Sequence, residues 1–158
     1  MKKILLFSIF TMLLGINQMN GQVKKIAIYR WNHGNDWVDA REDETPNMEK
    51  WGYINKTFVC YLYTEPMEGT IGISRWLLPS PEDWVTARED ESDNLNKWGY
   101  KSKILLGYVF QNPRSNTMPI SRWNLEKTGD WVTVPETSSA KMQEFGYVSK
   151  VLIGYTPK

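Results

Sequence analysis

The chain has 158 residues, 19 Lys and Arg against 18 Asp and Glu for a formal charge of +1, and 41% hydrophobic residues. So balanced a charge gives no electrostatic basis for binding nucleic acid or an anionic membrane. One cysteine, Cys60, excludes a disulfide framework, and one histidine, His33, excludes histidine triads and multi-histidine zinc sites.

Met1-Lys2-Lys3, an apolar run from Ile4 to Leu14 and a polar tail ending near Gly21-Gln22 read as a secretory signal over residues 1–21, too short to span a bilayer as a helix. Its removal takes Lys2 and Lys3 with it, moving the formal charge from +1 to about −1. The expected location is secreted or periplasmic, with no membrane insertion once the signal is gone. Residues 22–158 then form a single domain.

That domain is built from a unit used three times, over about 24–66, 69–113 and 118–158. Asp36-Trp37, Asp83-Trp84 and Asp130-Trp131 stand 47 residues apart, as do Gly52-Tyr53, Gly99-Tyr100 and Gly146-Tyr147. Fixed register over two intervals marks a repeat whose units bury their apolar faces on one another.

Each unit opens with alternating apolar and polar residues, a half-buried strand: Ile26–Trp31, Ile71–Trp76 and Ile120–Trp123. Turns follow at Asn32–Asn35, Leu77–Glu82 and Asn124–Gly129, the first two residues shorter than the others, and length variation confined here marks an exposed hairpin loop. Short second strands begin at Trp37, Trp84 and Trp131. A polar segment then predicts one or two helical turns, with Thr45, Ser92 or Thr137 as N-cap and Gly52, Gly99 or Gly146 as left-handed stop. The unit closes on its most apolar strand, Thr57–Tyr63, Ile104–Phe110 and Val151–Tyr155. Cys60 lies in the first of these, where Gly107 and Gly154 match it, and reads as a small buried hydrophobe. The expected fold is mostly β: three strand-strand-short helix-strand repeats in a closed pseudo-threefold, β-trefoil-like body, with an open repetitive sheet as the alternative.

Arg122-Trp-Asn-Leu-Glu-Lys-Thr-Gly-Asp-Trp-Val-Thr133, then Glu136, Met142, Phe145-Gly-Tyr147 and Ile153-Gly-Tyr155, resembles a repeat of secreted bacterial proteins of the form Y-R-x-Y-N-P-x-x-G-D-H-x-Y-T, followed by E, G-Y-x-x-E-G and G-Y. The resemblance covers all three units. It implies export and association with surfaces or glycans, since that domain of unknown function accompanies cell-wall and carbohydrate-active modules. The chain departs from the pattern where Trp37, Trp84 and Trp131 replace the histidine after Asp, and where Lys56, Lys103 and Lys150 stand near the usual Glu.

The recurring outward candidates are Trp31, Trp76 and Trp123 before the turn and Asp36, Asp83 and Asp130 after it, with Arg30, Arg75 and Arg122 expected to meet those aspartates across the hairpin. An aromatic plane flanked by Arg and Asp stacks on a sugar ring and bonds its hydroxyls; three such sites on one body gain avidity for a polymer. The competing reading makes these tryptophans core and the Arg and Asp groups hairpin ion pairs. The functional expectation is a non-enzymatic carbohydrate-binding module with up to three equivalent sites and no cofactor, its partner a glycan or cell-surface polysaccharide. The alternative is a structural or protein-interaction repeat acting on an extracellular protein. A glycosidase using two of Glu42, Glu89 and Glu136 ranks below both, because like units seldom give two carboxylates the unlike environments that acid and base roles need. Arg41–Glu44 and Arg88–Glu91 lack the spacing of a calcium loop.

Overall fold

The computed structural model describes residues 23–34 and 36–158, so the expected signal segment lies outside the described residues. Among the described residues, nine strands and three short α-helices follow in chain order. The first unit has β1 (Lys25–His33), β2 (Asp36–Arg41), a 3-10 turn (Glu42–Glu44), α1 (Thr45–Lys50) and β3 (Ile54–Tyr63). The second has β4 (Thr70–Pro79), β5 (Glu82–Arg88), a 3-10 turn (Glu89–Glu91), α2 (Ser92–Lys97) and β6 (Ser102–Phe110). The third has β7 (Thr117–Leu125), β8 (Asp130–Pro135), a 3-10 turn (Glu136–Ser138), α3 (Ser139–Glu144) and β9 (Ser149–Pro157). The protein is mostly β, as the alternation of its residues implies.

In every unit the first strand pairs antiparallel with both the second and the third. The hairpins are longer than the turn residues suggest: pairing continues to His33↔Asp36, Pro79↔Glu82 and Leu125↔Asp130. Polar residues read as loop therefore carry ladder bonds, because a strand end exposed on one face tolerates them.

The units join through single bridges, Tyr63↔Tyr108 between β3 and β6 and Phe110↔Tyr155 between β6 and β9. Glycine permits both approaches: a Cβ on Gly107 would lie 2.7 Å from the Tyr63 carbonyl oxygen, and one on Gly154 would lie 2.8 Å from that of Phe110. The sheet is open, its ladder path running from β2 to β8 without returning to β3. A third bridge, 47 residues on from Phe110, would fall on Pro157, which has no N–H to give. There the Thr156 hydroxyl donates to the Tyr61 carbonyl instead, beside Cys60 where the other units carry glycine.

Ile28, Leu62, Ile73, Leu106, Ile120 and Ile153 are among the residues of a central core, and each hairpin encloses a smaller cluster with its own helix. The helices stop as the glycines predict. Gly52, Gly99 and Gly146 have φ of 84°, 95° and 85°, and the N–H groups of Tyr53, Tyr100 and Tyr147 each reach back to a helix carbonyl at 3.0 Å.

The expected N-caps are not the caps. Thr45 and Ser92 begin their helices, and Thr137 lies within the preceding 3-10 turn. Thr45 Oγ1 accepts from Lys56 Nζ at 3.0 Å, while the Ser92 hydroxyl donates to the Glu89 carbonyl at 2.6 Å. The 3-10 entry is held instead by Glu44 and Glu91, whose carboxylates accept the backbone N–H of Arg41 at 2.9 Å and Arg88 at 3.1 Å. The third unit lacks both halves of that bond, having Pro135 for the donor and Ser138 for the acceptor.

Candidate functional site

Trp31, Trp76 and Trp123 are each 3% exposed. They sit mid-hairpin opposite Val38, Val85 and Val132, on the inward face of the pleat. A lysine covers each indole from the same unit, with Lys56, Lys103 and Lys150 Nζ 5.6, 5.4 and 5.5 Å from the ring centroids. Such rings have no face left for a sugar. The stacking role expected of these three residues is overturned by burial, and Lys56, Lys103 and Lys150 serve as lids over core tryptophan.

Arg30, Arg75 and Arg122 do not meet Asp36, Asp83 and Asp130 either. In the hairpin register each arginine stands opposite Asp39, Thr86 or Thr133, three positions from the expected aspartate. Asp36 instead accepts the Trp37 N–H at 2.8 Å, and Asp83 accepts the Tyr100 hydroxyl at 2.7 Å. Asp36 is pushed up to about 6, first by burial and then by the nearby carboxylates of Asp83, Glu82 and Asp130, against the lowering effect of the Trp37 N–H.

The arginines reach into the neighbouring unit. Arg75 Nη2 donates to Glu44 Oε1 at 2.6 Å, and its Nη1 to Glu44 Oε2 at 3.1 Å and to the Asp39 carbonyl at 3.2 Å. Arg122 makes the same two-pronged contact with Glu91, with Nη1 also 3.5 Å from the Thr86 carbonyl. Arg30 Nη2 donates to the Thr133 carbonyl, but Ser138 stands where Glu44 and Glu91 stand. Its charge is balanced from its own unit by Asp39, 3.5 Å from Nε, whose other oxygen accepts the Thr86 hydroxyl at 2.8 Å.

Over these arginines lie three cavities, each drawn from two units. One of about 230 Å³ includes Met48, Trp51 and Tyr53 of the first unit with Arg75 and Trp84 of the second. A narrower one, about 30 Å³, includes Leu95, Trp98 and Tyr100 of the second with Arg122 and Trp131 of the third. The remaining one, about 190 Å³, is lined by Val132, Met142, Phe145 and Tyr147 of the third with Arg30 and Trp37 of the first. Trp84, Trp131 and Trp37 are thus partly buried walls; the Arg75 and Arg122 guanidinium carbons lie 5.6 and 5.2 Å from the Trp84 and Trp131 ring centres.

Trp51, Trp98 and Phe145 line these cavities and are 56%, 63% and 66% exposed. Each is the last residue before the left-handed glycine, and its amide closes the helix by donating to Asn47, Asn94 or Lys141 at 3.0 Å. None of the three is among the binding candidates that the sequence offers. Their 47-residue spacing was visible, and the adjoining glycine stop was the signal that they lie at a helix end, where a side chain can point outward.

Glu42, Glu89 and Glu136 are dispersed among structural partners. Glu89 accepts from Ser74 and Lys103, Glu136 holds Lys150 at 2.6 Å, and Glu42 lies beside Tyr29. The Cys60 thiol is buried, which pushes it up to about 12. Comparison with protein-family models, with curated proteins and with solved structures finds no match to this chain.

Proposed function

We propose that the protein is a secreted, non-enzymatic binding module for carbohydrate, acting at a glycan or cell-surface polysaccharide through Trp51, Trp98 and Phe145. The observation that carries this is the display of one large, exposed aromatic per unit, in 47-residue register, beside a cavity whose wall comes from the next unit. An aromatic face binds the apolar face of a pyranose, and neighbouring polar groups take its hydroxyls. Single contacts of this kind are worth on the order of 1 kcal/mol. Several on one rigid body multiply apparent affinity when a polymer spans them.

The three units are proposed to form one pseudo-threefold body, closed by side chains rather than by the sheet. Support comes from the cyclic order of the arginines, with Arg75 reaching the first unit, Arg122 the second and Arg30 the third. The placement of β2, β5 and β8 against one another agrees with that order.

A screen of the full protein on a glycan array, followed by titration of the best polysaccharide with Trp51→Ala, tests the binding reading. Loss of at least tenfold in affinity with an unchanged melting temperature is expected; retained affinity contradicts it. The second reading, a protein-interaction repeat, draws on the exposed apolar residues Phe58, Leu105 and Leu152, one per unit on the third strands. Array-wide failure to bind, with an extracellular protein captured through those three residues, would favour it.

A further inference from the structure

The three junctions between units are alike in their aromatics and unlike in how their arginines are held. Arg75 and Arg122 each direct both Nη groups at a two-pronged glutamate from the neighbouring unit, their Nε atoms are buried without a partner, and their side chains are 2% and 6% exposed. Arg30 keeps 14% exposure and meets one carboxylate oxygen, Asp39 Oδ1, at Nε. Its Nη2 is used by the Thr133 carbonyl, while Nη1 has no hydrogen-bond partner among the described residues. The cause is local: Ser138 has replaced the glutamate, and Pro135 has removed the N–H that the glutamate also served. An arginine with an unpartnered Nη1, met by Asp39 only at Nε, thus lines an open cavity of about 190 Å³ whose walls include Trp37, Phe145 and Tyr147.

We propose that this cavity, between the third and first units, binds the carboxylate of an acidic sugar, a uronate residue of a polymer. Arg30 donates to the carboxylate in the role that Glu44 and Glu91 fill for the other two arginines, and the Phe145 ring lies against the sugar. The assignment rests on the glycan-binding reading and adds a ligand class and a location to it. Several features favour it. A planar guanidinium matches a carboxylate better than it matches a hydroxyl. The cavity lies below the roughly 300–1,000 Å³ of drug-sized sites and suits one ring, with the rest of the chain lying across the surface. The other two arginines have no such capacity, because glutamate already takes both Nη groups and the Nε that each leaves unpartnered is buried.

The test is calorimetric titration of the full protein with trigalacturonate and with its methyl ester, in which each carboxylate charge is replaced by a neutral methyl ester on the same sugar chain. The wild type is expected to prefer the acid by roughly tenfold or more, a preference that weakens with added salt. Ser138→Glu supplies the missing carboxylate to Arg30 and should bring the two ligands within about twofold of each other, with ester binding retained and the melting temperature unchanged or higher. Arg30→Gln should remove the preference likewise, and Ser138→Glu guards against that variant failing to fold. Equal affinity of the wild type for acid and ester, or an acid preference that survives Ser138→Glu, overturns the uronate site while leaving the glycan reading standing if the ester binds. If neither ligand nor any neutral glycan binds, the glycan reading itself falls and takes this assignment with it.

Discussion

Two sets of aromatics recur once per unit and meet opposite fates. Trp31, Trp76 and Trp123 lie mid-strand and are 3% exposed, whereas Trp51, Trp98 and Phe145 close their helices and are 56–66% exposed. Both sets are large, apolar and regularly spaced. Position within the element separates them: the first projects from the inward face of a hairpin against a paired valine, the second from a helix end at which the chain reverses through a left-handed glycine. Regular spacing tells which residues are equivalent, and local backbone geometry tells which way they face.

The comparison is sharpened first where it predicts the greatest loss. Trp76→Ala empties a buried site and should lower the free energy of unfolding in urea by about 3–5 kcal/mol; a loss below about 1 kcal/mol would contradict a core role. Next, Glu44→Ala strands the buried Arg75 guanidinium and should cost on the order of 3 kcal/mol. Ser138→Ala, at the matching place in the third unit, should cost less than about 0.5 kcal/mol by the same measurement, because no arginine depends on it.

A smaller effect is expected at the hairpin ends. The folded pKa of Asp36, about 6, lies above its ordinary 3.8. The folded state therefore favours the protonated form, and the stability that this contributes is complete below about pH 4 and lost as pH rises through 6. Asp36→Asn should stabilise the protein by about 1 kcal/mol at pH 7–8, leave it unchanged at pH 4, and flatten the thermal-unfolding profile between those values. The smallest effect belongs to Trp98→Ala, within about 0.5 kcal/mol of wild type in urea, since an exposed ring buries little.

The order of elements was readable because it depends on local chemistry. Glycine at 52, 99 and 146 stops each helix, alternation marks the first strands, and the apolar third strands flank the core. The partners of Arg75 and Arg122 were not readable, because Glu44 and Glu91 come from the preceding unit and no hairpin argument reaches across units. The hairpin ends misled for a different reason: strand pairing runs through residues such as Asn32 and Pro79 whose composition signals a turn. Closure was misjudged at Pro157, where one missing N–H leaves the sheet open although the residues around it repeat. The exposed ring at 51, 98 and 145 was not singled out, because its outward direction depends on the helix ending at that residue.

The most direct measurement is polysaccharide affinity and unfolding free energy on one protein, Trp51→Ala/Trp98→Ala/Phe145→Ala, using the glycan that the wild type binds best. An unfolding free energy within about 1 kcal/mol of wild type, together with loss of binding, is the predicted result. Undiminished binding by the folded triple variant would contradict the claim that these three outward rings are what the protein presents to its ligand.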